Sequence, residues 1–381
     1  MLATSKLKES SSYLASSRRY RLATHRTPHI SEMTDMAELF SSDQPAAARL
    51  NQISSLLNPW AIRTAVTMRL PDLVANGADT TSELASQSGA DLDALGRLMR
   101  HLTFLGLFRT TAAGCWEVAE LGEILRDGHP MRIAMDQADD FVRKVDQSIY
   151  GLLDAVRTGG AVWERLHGRS FWKELAFDSE IGRSYNFHMA VHAAMFGPAL
   201  AQSYDWSTVQ HLVDVGGGTG HTLATIMSAH PHLRGTLIDL PDPIASATAI
   251  LEAANVGSRC VVAAQSFFDT LPSGGDVYLL ANIIHGWSDG ESIKILQRCA
   301  DAAGSGGRVL LVERVIAGDA DETVQAAISH LDLCSLLLFG GRERSEEEFR
   351  QLCTTAGLRQ KATHALTDCP WLSLMEFVVE D

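Results

Sequence analysis

The chain has no C-x-x-C pair among its six cysteines, no run of eighteen apolar residues, and no excess of positive charge. Each lack removes a class of protein. Scattered thiols at Cys115, Cys260, Cys299, Cys334, Cys353 and Cys369 fit neither a disulfide framework nor a structural zinc site, and they predict a reducing, cytoplasmic setting. Without a long apolar run, no segment spans a bilayer as a helix. A formal net charge of −14 argues against nucleic acid or an anionic membrane surface as the main partner. What the chain does have is length and apolar content: 381 residues, 46% hydrophobic, enough for two or three domains.

The first 45 residues stand apart. KLKESSSYLASSRRYRLATHRTPH is serine-rich and basic, with Glu9 its one acid, and is read as a disordered extension in preference to a transit peptide. Residues 46–205 are read as a mostly helical region for dimerisation and for covering a substrate. NQISSLLNPWAIRTAVTMRLPDLVA has helical apolar spacing broken by Pro59 and Pro71, and TTSELASQSG opens on a cap at Thr81 or Ser82. DLDALGRLMRHLTFLGLF follows as an amphipathic helix, then two short strands about Gly114; helix, helix, helix, hairpin is a winged-helix order. Arg97, Arg100 and His101 share that helix with Leu95, Leu98, Met99 and Leu102, which suits packing between subunits better than a DNA groove. RSFWKELAFD and YNFHMAVHAAMFGPALAQSYDW then supply aromatic helices, mostly core, that can also roof a pocket.

Residues 206–381 alternate strands and helices, which predicts a doubly wound α/β sheet. Its first strand, Val209 to Val215, runs into Asp214 and the glycines at 216, 217, 218 and 220. A helix follows, and the second strand ends on Asp239. Strand, glycine turn, helix and a distant acid grip an adenosine ribose, because glycines let the backbone approach and the carboxylate accepts from two hydroxyls. A dinucleotide turn would need glycine at the position of His221. G-x-G-x-G, with nothing basic nearby for a pyrophosphate, instead predicts S-adenosylmethionine (SAM); NAD and a merely structural turn are the alternatives.

Ligands of such sheets sit beyond the carboxyl ends of the strands. His285 follows the apolar strand VYLLANII, Glu313 ends RVLLVE, and Glu343 lies in GGRER ahead of a helix capped by Ser345. A histidine with two converging carboxylates makes a general base held in one tautomer. The plainer reading makes His285 a strand-end cap and the acids a solvated rim. His188 and His192, spaced i, i+4, lack a third ligand nearby, so no metal is expected and packing or pocket lining is preferred.

From about residue 46 to 381 the chain resembles the SAM-dependent small-molecule O-methyltransferases, both caffeate-type plant enzymes and bacterial antibiotic-tailoring ones. The matching pieces are D-x-G-G-G-x-G at 214–220, IDLP with Asp239, SFFDTLP at 266–272, H-x-W-x-D at 285–289, VER at 312–314 and GGRER at 340–344. The resemblance implies a Rossmann-like methyltransferase sheet and a homodimer formed through the winged-helix domain. It places Gly216 and Gly218 at the methionine part of SAM and Asp239 at the ribose. Ser266 and Phe267 flank the adenine, Trp287 packs nearby, and Asp214 and Ala281 complete the donor site. His285 is the implied base, bracketed by Glu313 and Glu343, while Met189, Phe196 and Asp289 fall to the acceptor pocket. Ser266 stands where many relatives have Asp, and H-D-W reads H-G-W, so Gly286 is expected to widen the pocket. Plant members carry Lys at Ala281 and Asn at Leu338, so phenylpropanoid specificity does not transfer. The expected activity is methylation of a hydroxyl, phenolic by preference, on a specialised metabolite. The alternatives are a related enzyme using SAM unconventionally, of hydroxylase or decarboxylase type, and a winged-helix ligand-responsive regulator.

Overall fold

The computed structural model describes residues 44–318 and 320–380. The extension expected over residues 1–45 therefore lies, but for its last two positions, outside the described residues. The chain divides into a short unit ending at Trp60 and a large unit beginning at Ala61. In the short unit the helix Gln44–Ser54 exposes Leu50 and Ile53, and Leu56 and Leu57 behind it are exposed as well.

The large unit opens with the helices Leu70–Ala75, Thr81–Ser88 and Leu92–Phe104, then β1 (Phe108–Thr110) and β2 (Trp116–Val118), which pair antiparallel. Leu84, Leu95, Met99, Leu102, Phe108 and Trp116 form their common core. The helix expected to be capped by Thr81 or Ser82 is capped one residue earlier. Thr80 accepts from the Glu83 amide while the Glu83 carboxylate accepts from the Thr80 amide, the reciprocal pair that requires a spacing of three. In Leu92–Phe104 the apolar residues divide: Leu95, Met99 and Leu102 turn inward, whereas Leu92 and Phe104 stay exposed, Phe104 at 89%.

Seven strands form the sheet: β3 (His211–Val215), β4 (Arg234–Asp239), β5 (Cys260–Ala264), β6 (Val277–Ala281), β7 (Arg308–Glu313), β8 (Leu358–Ala365) and β9 (Ser373–Val379). Their spatial order is β5-β4-β3-β6-β7-β9-β8. β3 to β7 run parallel, and β9 enters antiparallel between β7 and β8. Parallel strands covered on both faces need continuous apolar runs, and β6 shows why: Val277 and Leu279 join one core, Tyr278 and Leu280 the other. The chain leaves β3 first toward β4 and later toward β6, so the switch point lies between β3 and β6. The glycine turn and the His285 turn thus leave neighbouring strands and open onto one crevice.

Candidate active site

The turn after β3 is made by backbone only glycine adopts easily: Gly216, Gly218 and Gly220 have φ of +73°, +61° and +84°. A side chain at Gly216 would also meet Ile283 Cδ1 at 2.6 Å, so that turn and the one after β6 touch. One at Gly217 would collide with Asp214 Oδ2 and Leu237. Asp214 therefore lies beneath the loop, 1% exposed, with Oδ2 accepting no hydrogen bond from the described residues. Burial, and then the charge of Asp239, push its carboxyl up to about 7. It supports the loop from below and has no face on the crevice.

Asp239, at the end of β4, takes the Gly218 amide on Oδ2 at 2.7 Å and the Leu240 amide on Oδ1 at 2.6 Å. Burial raises its carboxyl above the ordinary range, and the two amides oppose that rise. Each oxygen keeps a second lone pair for a hydroxyl. Space is open above Gly218, where an added Cβ would meet no atom within 4 Å. Glycine floor, buried acid and a carboxylate suited to a diol fit a nucleoside donor such as SAM.

Next along the crevice, Ser266 Oγ accepts the Phe268 amide at 3.2 Å, a local turn that leaves its hydrogen free to donate. Phe267 lies 3.4 Å from the Cβ position of Gly216 and meets Trp287 edge to face, centroids 5.6 Å apart. Ala281 ends β6, packed against the core on the Leu279 side.

His285 occupies a single helical turn, Ile284–Gly286, just past β6. Asn282 precedes it with φ +55°, a left-handed conformation that asparagine tolerates. Glu343 Oε1 lies 3.3 Å from His285 Nδ1 and accepts from Arg314 Nε at 2.8 Å. Arg314 Nη2 stands 3.1 Å from the same Nδ1, and Nη1 donates to Asn282 Oδ1. Burial pushes the Glu343 carboxyl up, but the hydrogen bond to His285 and the charges of His285 and Arg314 outweigh it and hold it below the usual range.

Glu313 departs from expectation. It does not bracket the ring by contact. Its Oε1 accepts the amides of Ile283 and Ile284 at 2.9 and 2.7 Å, so it holds the backbone that carries His285. Burial raises its carboxyl, with His285 pulling it back, and Oε2 accepts nothing from the described residues.

Two residues expected in the acceptor pocket are engaged elsewhere. Asp289, the first residue of the helix Asp289–Ala303, pairs with Arg344 at 2.8 Å and Arg342 at 3.5 Å. Phe196 is 3% exposed and packs with Leu200, Trp206 and Leu223, since that face of the helix Ser179–Ser203 lies against the helix His221–Ala229. Met189, on the same helix, is 40% exposed. His188 and His192 part company: His188 Nε2 lies 3.3 Å from Asp139, and His192 is half-buried, within electrostatic reach of Arg314 and His285. Burial first, then those two charges, lower His192 to about 4. No cluster of three His, Cys, Asp or Glu side chains suited to a metal ion occurs among the described residues.

Three residues escaped sequence reasoning. Arg314 adjoins the one acid of its motif, Glu313, yet nothing in VER marks it as reaching the base. Arg344, fully buried, donates to the carbonyls of Ile284 at 3.0 Å and Trp287 at 2.8 Å, gripping both ends of the turn. Trp172, legible only as part of an aromatic-rich helix, stacks on Trp287 across Gly286. That ring takes the room the missing aspartate was expected to add to the pocket.

Comparison with known proteins completes the picture. The O-methyltransferase domain family matches residues 149–359, and the O-methyltransferase dimerisation domain family matches residues 50–126. The 2,7-dihydroxy-5-methyl-1-naphthoate 7-O-methyltransferase of Streptomyces carzinostaticus is 38% identical over 329 residues, 86% of this chain and 96% of that protein. Aclacinomycin 10-hydroxylase of Streptomyces purpurascens is 36% identical over 343 residues, 88% of this chain and 91% of the relative. Among solved structures, an O-methyltransferase from neocarzinostatin biosynthesis, in complex with SAM and 2-hydroxy-5-methyl naphthoic acid, superposes with a TM-score of 0.78 at 37% identity. That match covers 87% of this chain and 98% of the other.

Proposed function

Because this chain belongs to the SAM-dependent O-methyltransferase family, we propose that it methylates a phenolic hydroxyl on a small aromatic metabolite, with His285 as the base. The observation that carries this reading is the adjacency of two turns. Asp239 and the Gly216–Gly218 floor lie at the ends of β4 and β3, and the His285–Glu343 pair lies at the end of β6, the next strand over. SAM, held by Asp239, Gly216, Gly218, Phe267 and Trp287, supplies a methyl group already activated by its sulfonium.

The protein's remaining task is to take a proton. Three groups stand at His285 Nδ1: Glu343 and, farther off at 3.5 Å, Ser335 Oγ can accept, whereas Arg314 can only donate. An Nδ1–H aimed at Glu343 leaves the Nε2 lone pair for the acceptor hydroxyl, whereas a hydrogen bond donated by Arg314 would leave Nε2 protonated and unable to act. The base role assigns the first tautomer, with Arg314 serving to fix Glu343 through Nε. Glu313 then acts as a positioning residue. Glu313→Gln retains an oxygen for the two amides and is expected to keep turnover within about tenfold. Glu313→Ala, losing two charge-assisted bonds of about 1.5 kcal/mol each, is expected to lose about a hundredfold. Steady-state kinetics of the two variants decide between backbone support and a charge requirement, the latter predicting equal damage from both.

In the same reading residues 46–205 serve dimerisation and cover the acceptor, residues 206–381 bind the donor, and the protein is a cytoplasmic homodimer. Exposed Leu92 and Phe104 supply apolar surface for a second copy, and the dimerisation match over 50–126 favours packing over DNA reading. All six cysteines are unpaired, and no helix of the described residues is long and apolar enough to cross a membrane.

The test is to incubate the protein with SAM and a panel of hydroxynaphthoic acids. Methyl ether and S-adenosylhomocysteine are expected in equal amounts. A product with an added oxygen atom and no methyl group would move the chain to the second reading, which the 36% identity to a hydroxylase keeps in view.

A further inference from the structure

The indole of Trp172, from the helix Phe171–Phe177, lies between two functional turns without belonging to either. It is parallel to Trp287, centroids 5.5 Å apart and planes at 9°, and stacks on Phe339 at 5.6 Å and 24°. Trp287 in turn meets Phe267 and Phe268 edge to face at 5.6 and 5.0 Å, on the donor side. Phe339 meets the His285 ring edge to face at 5.8 Å, on the base side. Tyr185, whose phenol is raised by burial and then by the charge of Asp239, touches the same indole at 6.1 Å. Glycine at 286 permits this approach, since a Cβ there would already stand 3.4 Å from Trp172 Cζ2.

The helix that carries Trp172 has little support of its own. It is seven residues long, and Ser170 at its start makes no side-chain cap. Two turns of helix do not persist in water without packing. Its order therefore depends on packing and on the pairing of buried Glu174 with Lys144 and Arg169, and among these contacts the face-to-face one with Trp287 is the one that reaches the donor site.

We propose that Trp172 is a positioning residue that couples the helical layer to the donor pocket, so that donor binding steadies both the helix Phe171–Phe177 and the turn bearing His285. The coupling rests on the reading of Trp287 as a donor-flanking ring. A ligand that restrains Trp287 restrains the indole stacked on it, and the indole restrains Phe339 beside the base. Offset and edge contacts hold only over a narrow range of ring positions, so restraint passes along the column.

Hydrogen exchange on the full-length protein, with S-adenosylhomocysteine as the probe, tests this without any acceptor. Saturating probe is expected to slow amide exchange over residues 171–177 by about fivefold or more, the low end of ordinary coupling between sites. In Trp172→Ala the probe still binds by calorimetry, but the slowing falls below about twofold; Trp172→Phe recovers much of it. Gly286→Asp, which drives a carboxylate at the indole, is expected to uncouple the segment in the same way should the alanine variant fold poorly. Binding with unchanged exchange at 171–177 in the natural protein overturns the coupling alone, as does a Trp172→Ala protein that slows as the natural one does. Failure to bind the probe at all would instead bring down the donor reading beneath it.

Discussion

His285→Ala is expected to lower turnover at neutral pH at least about a hundredfold while leaving donor affinity unchanged. A phenol of pKa about 10 is ionised in roughly one molecule per thousand near pH 7, a deficit near 4 kcal/mol. A placed imidazole returns about 10²–10⁴-fold, which matches that gap. Alignment of the reactants, with effective molarities of about 10⁵ M, survives the substitution, so residual activity remains measurable. The loss also has a sign in pH. Raising the pH toward the acceptor's own pKa ionises the hydroxyl without help, so the gap between variant and parent narrows as pH rises. Single-turnover rates across pH, with calorimetry of S-adenosylhomocysteine, check both halves. Equal turnover of the two proteins at pH 7 rejects the base assignment.

Asp239→Ala is expected to weaken donor binding about a hundredfold or more. A carboxylate accepting from two hydroxyls makes charge-assisted bonds of about 1.5–3 kcal/mol each, and the variant loses both. It also strips the Gly218 and Leu240 amides of their acceptors, loosening the floor on which the donor rests. Asp239→Asn separates these effects, because its amide oxygen still takes one of the two amides while the charge is gone. Calorimetry gives the affinities. A donor Kd within threefold of the parent for the alanine variant excludes the ribose role.

How much of this site could be read from residues alone depends on where each gets its meaning. The glycine turn was legible because its reason is local: backbone at φ near +70° and the collision a Cβ would make are properties of the positions themselves. His285 was legible because strand polarity alone puts it at the crevice. Asp289 misled because a nearby motif position says nothing of direction, and a helix starting there carries the acid toward Arg344. Phe196 misled because the helix Ser179–Ser203 carries Met and Phe around much of its circumference, so spacing does not tell the face packed on His221–Ala229 from an open one. Glu313 ends β7 as strand polarity requires, but whether an acid meets a ring or a backbone amide turns on distances of an ångström, which spacing does not carry. Arg314 and Arg344 came from the structure alone. A buried guanidinium draws its partners from several loops, and no spacing along the chain encodes that.

The strand Ser373–Val379, last of the described strands, does not finish the sheet at its rim but is inserted between β7 and β8. On the ribosome, a nascent chain that has already paired β3 through β7 must hold the β7 edge open until this segment emerges, and β8 has no partner before then. Open edges invite pairing with other chains. The topology thus leaves the β7 edge and β8 open to such pairing until Ser373–Val379 has emerged, an interval in which a chaperone would be of use.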